Sequence, residues 1–121
     1  MPPTKDKDEI SVSNLVEKYI HENDVMIFSK SWCPYCKKIK EALRSAKIEF
    51  YAIELDKIPE GEEIENEIIK KTKQETVPNI FIKQEHIGGC DDTLAALKSG
   101  RVNKLLYPEE SHRKEINVDQ E

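Results

Sequence analysis

The stretch Ser29-Lys30-Ser31-Trp32-Cys33-Pro34-Tyr35-Cys36 is the part of this sequence from which a fold can be predicted. It begins at the end of a short apolar run, Val25 to Ser29. This run has polar residues on both sides, which favours a buried strand. Pro34 suits the first turn of a helix, where its missing N–H leaves no hydrogen bond unmade. Apolar residues then recur at helical spacing from 39 to 46. The two cysteines are therefore expected at the start of a helix that follows a buried strand.

The patterns on either side of this stretch predict an alternation of helices and strands. The other predicted elements are a first helix capped by Ser11 or Ser13, a second strand over 48–55, a third helix opening at Pro59-Gly61, strands at 79–83 and 86–87 joined by a turn at Gln84-Glu85, a helix capped by Asp91 or Asp92 and ended by Gly100, and a last helical segment stopped by Pro108. A strand–helix–strand unit places its two strands parallel, and the later hairpin adds antiparallel strands. We expect an α/β fold, a sandwich in which helices flank a mixed four-stranded sheet.

The length predicts one domain, because 121 residues suffice for a single hydrophobic core. We place this domain at residues 11–107. Residues 1–10 are polar and hold two prolines, which predicts a flexible N-terminus. Residues 108–121 hold five acidic and two basic side chains with few apolar ones, which predicts a flexible acidic C-terminal tail.

Composition and charge argue against several classes of protein. With 19 Lys and Arg against 24 Asp and Glu, the formal net charge is −5, which disfavours binding to nucleic acid through the overall field. No apolar run approaches the roughly 18 residues of a membrane span. The first nine residues lack the apolar segment of a secretory signal. We therefore expect a cytoplasmic protein that binds neither nucleic acid nor membranes.

The spacing of Cys33 and Cys36 indicates thiol chemistry. At positions i and i+3 of a helix start, two sulfurs lie close enough to form a disulfide. The helix N-terminus directs free N–H groups and partial positive charge at the first sulfur, and the thiolate is the nucleophile of thiol–disulfide exchange. We expect Cys33 to be the exposed nucleophile. Cys36, one turn further in and less exposed, is expected to be the resolving cysteine.

The charge around the two cysteines favours an anionic substrate. Residues 30–47 hold six basic side chains and one acidic side chain, although the whole chain is acidic. A structural zinc site is the alternative, since His86 and Cys90 could complete a set of one histidine and three cysteines with Cys33 and Cys36. Zinc-binding cysteine pairs usually come as two short-spaced motifs. The strand–helix context therefore favours the redox interpretation, without a metal.

Three further motifs lie downstream: Thr76-Val77-Pro78, Gly88-Gly89 and Cys90-Asp91-Asp92. Together with Cys33-Pro34-Tyr35-Cys36, in this order and spacing, they resemble the dithiol glutaredoxins, a family with the thioredoxin fold, over about residues 11–107. The resemblance implies a thioredoxin-like sandwich. It implies a glutathione-dependent oxidoreductase that reduces protein disulfides and glutathione mixed disulfides through the dithiol. It also implies that no cofactor is bound and that glutathione is the reducing co-substrate.

The resemblance assigns roles to residues near the dithiol. Cys33 would take the mixed disulfide with glutathione, while Lys30 and Gln74 would hold the glycine carboxylate of the tripeptide. Val77-Pro78 resembles a cis-proline turn, which would direct the Val77 N–H and C=O toward the cysteinyl part of glutathione. The alternatives are a solvated surface lysine and a trans proline at the start of a strand.

The resemblance also assigns a role to the second helix start. The backbone of Gly89, Cys90 and Asp91 would bind the γ-glutamyl carboxylate of glutathione through N–H groups. The side chain of Asp92 would meet the α-amine. Helix capping is the alternative role for both aspartates. Tyr35 would pack on the ligand, or it is an exposed aromatic that only belongs to the motif.

Three questions stay open at this stage. Cys90 packs near the site as a small apolar residue, or it is a site of regulatory disulfide formation or glutathionylation. Some glutaredoxins bridge two protomers with a glutathione-ligated iron–sulfur cluster, but they more often replace the proline that stiffens the turn here at Pro34. A thioredoxin served by a flavoprotein reductase is disfavoured because Trp-Cys-Gly-Pro-Cys is absent. We expect a monomer that acts on glutathione and on glutathionylated and disulfide-containing proteins.

Overall fold

A four-stranded sheet covered by helices forms the centre of the structure, a computed structural model that describes the backbone of residues 2–108 and the side chains of residues 12–108. The strands are β1 (Val25–Ser29), β2 (Tyr51–Glu54), β3 (Asn79–Ile82) and β4 (Glu85–Gly88). The helices are α1 (Pro2–Glu22), α2 (Pro34–Ser45), α3 (Gly61–Thr72), α4 (Cys90–Ser99) and α5 (Arg101–Leu106). In this part of the chain, no helix is both long and apolar enough to cross a membrane.

The sheet is mixed, with the spatial order β2-β1-β3-β4. β1 pairs in parallel with β2 and antiparallel with β3, which in turn pairs antiparallel with β4. Every residue of β1 and β3 is buried, as expected for the central strands of a sheet covered on both faces. β2 is shorter than the predicted strand over 48–55, because it begins only at Tyr51 and a 3-10 turn follows from Leu55. The predicted mixed four-stranded sheet with flanking helices is confirmed.

Alternate residues of β1 enter two apolar layers, one on each face of the sheet. Successive side chains of a strand point to opposite faces. Val25 and Ile27 accordingly pack with side chains of α2, α4 and α5, whereas Met26 and Phe28 pack with side chains of α1 and α3. Burial on both faces fixes β1 in place, and with it the start of the segment that carries the two cysteines.

Helix α1 begins at Pro2, so the predicted start at Ser11 or Ser13 is wrong. Two prolines fall in the first turn of the helix, where a missing N–H breaks no helical hydrogen bond. The prolines therefore do not prevent the earlier start. The flexibility of residues 1–10 stays a prediction. Beyond Pro108, the predicted acidic tail lies outside the described residues.

The turn between β3 and β4 lies at Lys83-Gln84, one residue before the predicted position at Gln84-Glu85. Ile82 pairs with Glu85, so the loop has two residues, and their φ angles are 50° and 70°. Two-residue hairpin loops with positive φ match the twist of the strands, and their usual sequence signal is Asn-Gly. Because neither loop residue is Asn or Gly, nothing in the sequence marks the position of the turn.

Replacing Gln84 with glycine should raise the free energy of unfolding by about 0.5–1 kcal/mol, because glycine adopts a positive φ without the steric penalty of a Cβ atom. Denaturant unfolding monitored by circular dichroism measures the change. The control is Ala95→Gly at an exposed position inside α4, which should lower the stability by about 0.5–1 kcal/mol. A loss of stability in Gln84→Gly similar to that of the control would contradict the left-handed turn.

Candidate active site

The two cysteines lie at the start of α2, as predicted. Cys33 is the N-cap residue, and its Sγ accepts a hydrogen bond from the backbone N–H of Cys36 over 3.2 Å. The carbonyl of Cys33 accepts from the N–H of Lys37 at 3.2 Å. Pro34 occupies the first turn of the helix. The Cys33 sulfur therefore faces the free N–H groups of a twelve-residue helix, whose dipole favours negative charge at this end.

Both sulfur-bearing side chains are buried, which corrects the expectation of an exposed Cys33. Cys33 is 3% exposed and Cys36 is 0% exposed. The Cys33 thiol lies 3.7 Å from the carbonyl oxygen of Val77, on the loop before β3. The two aromatic neighbours in the motif, Trp32 and Tyr35, are instead exposed by 64% and 59%. The predicted order of exposure holds, but the difference is small.

Burial determines the protonation state of Cys36. Burial, followed by the hydrogen bond with Cys33, raises the pKa of Cys36 to about 11. Cys36 is therefore a protonated thiol at neutral pH. The Cys33 sulfur lies at the helix N-terminus, beside free backbone N–H groups. All three cysteines of the chain are free thiols, so the structure represents the reduced protein.

A groove of about 480 Å³ lies next to the dithiol, because Val77, whose carbonyl oxygen is 3.7 Å from the Cys33 sulfur, is one of its lining residues. It is bounded by Tyr35 on α2, by the loop before β3 and by the first turn of α4. The residues that line it are Tyr35, Gln74, Thr76, Val77, Pro78, Gly89, Cys90, Asp91 and Asp92. Except for Lys30, every residue that the sequence predicted to bind glutathione lies in this groove. Thr76 also lines it, and the sequence analysis gave it no role although it belongs to the Thr76-Val77-Pro78 motif.

The loop before β3 contains a cis peptide bond between Val77 and Pro78, as predicted. The side chain of Gln74 holds this loop. Its amide nitrogen donates to the carbonyl oxygen of Thr76 at 3.0 Å and to that of Pro78 at 2.9 Å. Both amide protons of Gln74 are thus donated to backbone carbonyls of its own loop. Its predicted contact with the glycine carboxylate requires the side chain to exchange one of these bonds.

The start of α4 forms the opposite wall of the groove. Gly89 is the N-cap residue, so neither Asp91 nor Asp92 holds the predicted cap position. Asp92 instead occupies the third helical position, and its carboxylate accepts a hydrogen bond from the Gly89 N–H at 3.4 Å. Gly88 has a φ of 126°, and a Cβ atom there would lie 2.3 Å from the Asp92 carboxylate. Glycine is therefore required at this position for Asp92 to reach the helix start.

Lys30 lies outside the groove and forms an ion pair with Glu65 of α3. Its Nζ atom is 2.9 Å from Glu65 Oε2, and the two side chains are only 23% and 22% exposed. The Lys30 ammonium also lies 5.8 Å from the centre of the Trp32 ring. The alternative of a fully solvated lysine is therefore wrong. The predicted contact with the glycine carboxylate stays a prediction.

A second ion pair lies beside Cys36, and it was not predicted from the sequence. Ser29 is fully buried at the end of β1 and donates to Glu54 Oε1 at 2.8 Å. The other carboxylate oxygen of Glu54 binds Lys40, which follows Cys36 by one helical turn. Hydrogen bonding by Ser29 lowers the pKa of Cys36, but less than burial raises it. The spacing of Cys36 and Lys40 was the available signal, although nothing pointed to Glu54 as the partner.

The remaining candidate ligands of the zinc alternative serve other contacts. His86 lies 2.8 Å from Asn79 Oδ1, and burial lowers the pKa of its imidazole. Cys90 is 5% exposed, and burial raises the pKa of its thiol. Across residues 12–108, no three His, Cys, Asp or Glu side chains converge as a metal site requires. Cys90 packs among apolar residues of the layer that contains α2.

Comparison with known proteins gives consistent matches. The family model described as Glutaredoxin matches residues 25–87. The chain is 50% identical to Glutaredoxin-1 of Rhizophagus irregularis over 95 residues, which cover 78% of this chain and 94% of that protein. Among solved structures, a buckwheat glutaredoxin–glutathione complex matches with 30% identity and a TM-score of 0.78, covering 83% of this chain and 91% of the other. A wheat glutaredoxin structure matches with 41% identity and a TM-score of 0.75, covering 78% and 90%.

The raised pKa of Cys36 has a direct consequence for alkylation. In the reduced protein at pH 7.5, iodoacetamide should modify Cys33 before Cys36, because only a thiolate reacts and Cys36 has a pKa of about 11. The alkylation rate at Cys36 should still rise between pH 9 and pH 11. Peptide mass spectrometry after timed quenching distinguishes the two sites. Equal rates at neutral pH would contradict the asymmetry of the two thiols.

Proposed function

The chain belongs to the glutaredoxin family, and on this premise we propose which of its residues carry out the reaction. It is a glutathione-dependent thiol–disulfide oxidoreductase, and glutathione is its substrate. We assign the nucleophile to Cys33 and the resolving thiol to Cys36. The observation that carries this assignment is the position of Cys33 Sγ, bound to the Cys36 N–H at the start of α2 and beside the groove.

The first step is attack on a disulfide by the Cys33 thiolate. A bond forms between Cys33 Sγ and one sulfur of the substrate, the substrate S–S bond breaks, and the departing sulfur leaves as a thiolate that takes a proton from solvent. When the substrate is a glutathione mixed disulfide, Cys33 retains the glutathione. A second glutathione thiolate then attacks the sulfur of the glutathione bound to Cys33, and the bond from that sulfur to Cys33 Sγ breaks. Cys33 is released as a thiolate, and oxidised glutathione leaves.

Protein disulfides require the second cysteine. After the Cys33 thiolate opens such a bond, the substrate stays attached until Cys36 loses its proton and attacks Cys33 Sγ. The Cys33–Cys36 disulfide forms and the substrate leaves as a dithiol. Two glutathione molecules, oxidised to one disulfide, then restore the two thiols. The raised pKa of Cys36 suits this order, since Cys36 stays inactive until Cys33 has become a disulfide sulfur.

We propose that the tripeptide lies along the groove. The backbone of Val77, next to the cis-Pro78 bond, pairs with the cysteinyl part as an added strand would. The free N–H groups of Cys90 and Asp91 at the start of α4 bind the γ-glutamyl carboxylate, because a helix N-terminus carries free donors and partial positive charge. The N–H of the N-cap residue Gly89 joins them by exchanging its present bond with Asp92.

Other side chains bind the remaining groups of the ligand. Asp92 binds the α-amine and Tyr35 packs on the apolar part. Gln74 and Lys30 bind the glycine carboxylate after their side chains leave their present partners, Pro78 and Glu65.

We propose that the protein works as a monomer in the cytoplasm, with no metal or resident cofactor. The reaction as assigned requires the residues of one protomer only, and its two thiols are kept reduced where reduced glutathione is abundant, as in the cytoplasm. Its protein substrates are glutathionylated and disulfide-containing proteins. The net charge of −5 argues against nucleic acid as a partner.

Variants of the two cysteines test the assignment. Cys36→Ser should keep the reduction of a glutathione mixed disulfide, because external glutathione supplies the second thiol. It should lose most of its reduction of intramolecular protein disulfides. Cys33→Ser should lose both activities. The assay couples glutathione oxidation to glutathione reductase and follows the consumption of NADPH.

The matched control is Cys90→Ser, which removes the third thiol of the chain and should keep both activities. If Cys33→Ser turned over the glutathione mixed disulfide at a rate comparable to the unmodified protein, the nucleophile would be wrongly assigned. If Cys36→Ser reduced protein disulfides normally, the resolving role would be wrong.

A further inference from the structure

Lys30, which our proposal assigns to the glycine carboxylate of glutathione, already forms an ion pair with Glu65 in the structure. Lys30 Nζ and Glu65 Oε2 are 2.9 Å apart, and neither side chain is more than 23% exposed. Glu65 belongs to α3, whereas Lys30 follows the end of β1. The contact is therefore formed by tertiary packing and not by neighbours in sequence. The ammonium that our proposal assigns to a carboxylate of the ligand is therefore already paired with a carboxylate of the protein.

Other contacts hold the lysine close to this partner. The Lys30 carbonyl accepts a hydrogen bond from the Cys33 N–H at 3.1 Å, which fixes its backbone relative to the dithiol. The Trp32 ring lies 5.8 Å from the ammonium. The lysine side chain is thus turned toward α3, and Lys30 does not line the groove. Binding of the glycine carboxylate requires the ammonium to exchange one carboxylate for another.

We propose that Glu65 is an internal competitor of glutathione and sets the affinity of the enzyme for thiols that carry a carboxylate. The inference rests on the proposed function, because it requires that Lys30 binds the glycine carboxylate. The contact therefore contributes to the binding free energy of glutathione only the difference between the new ion pair and the pair with Glu65, which has to break. Glu65 therefore lowers the affinity for glutathione without touching the reacting sulfurs. Thiols without a carboxylate in this position are unaffected.

The test is the isosteric variant Glu65→Gln, which removes the competing charge. The KM for glutathione should fall roughly fivefold, the factor that corresponds to about 1 kcal/mol for one ion pair. The kcat should not change, since Glu65 contacts neither sulfur. The KM of the variant should also rise more steeply with salt concentration, because binding then forms an ion pair without breaking one.

A modified substrate separates competition from a structural role of Glu65. Glutathione with its glycine carboxylate converted to an ethyl ester has no charge to place on Lys30. Its KM should be the same for the unmodified enzyme and for Glu65→Gln. The control variant is Glu62→Gln, one turn earlier on α3, which changes the net charge equally. Glu62 is exposed and forms no ion pair among residues 12–108, so the Glu62→Gln enzyme should keep the KM of the unmodified enzyme for glutathione.

The outcome with Lys30→Gln distinguishes this inference from the proposal on which it rests. If Lys30→Gln raises the KM for glutathione but Glu65→Gln leaves it unchanged or raises it, Lys30 binds the ligand and the competition is refuted. If Lys30→Gln leaves the KM unchanged, the assignment of Lys30 fails and the inference fails with it. An equal fall in KM for glutathione and for its ester in Glu65→Gln would also overturn the competition. When Lys30→Gln is already present, adding Glu65→Gln should not change the KM for glutathione further.

Discussion

The hydrogen bond from the Cys36 N–H to Cys33 Sγ is the contact on which the site depends. It places the sulfur of Cys33, to which we assign the role of nucleophile, at the positive end of α2. The contact is possible because β1 is buried on both faces and delivers Cys33 to one end of the sheet. The antiparallel pair of Phe28 and Asn79 brings the loop before β3 to that same end. The Val77 carbonyl therefore lies 3.7 Å from the sulfur.

The other wall of the groove follows from the same sheet. β4 pairs with β3 so that Gly88 lies opposite Ile80, and α4 starts immediately after it. Two helix N-termini, those of α2 and α4, thus point toward one groove. One favours a thiolate and the other favours a carboxylate. An acidic protein can in this way offer backbone donors to an anionic ligand, while the nearby cation Lys30 is paired with Glu65.

The sequence predicted those parts of the structure that local patterns determine. The strand at 25–29, the helix after Pro34 and the groove residues near Pro78 and residues 89–92 belong to short motifs, and each lies where its motif placed it. The sequence failed where the cause is a contact between distant segments. The partner of Lys30 is one case, since Glu65 meets it only when α3 packs beside β1.

Other differences have equally physical causes. Cys33 is buried because a loop from far along the chain covers it, which no local pattern predicts. The two residues of the hairpin turn, Lys83 and Gln84, have the positive φ angles that match the twist of the strands, although the glycine that usually marks such a turn is absent. Asp92 reaches back to the Gly89 N–H from inside α4, so the N-cap of the helix is Gly89, two to three residues before the aspartates that were predicted to cap it.

The central claim is that Cys33 binds glutathione covalently and that the groove holds the tripeptide. The most direct test is the structure of the Cys36→Ser protein carrying one glutathione. The account predicts a disulfide between glutathione and Cys33, with the tripeptide lying between Val77 and the start of α4. Attachment at Cys90, or a tripeptide outside this groove, would contradict it.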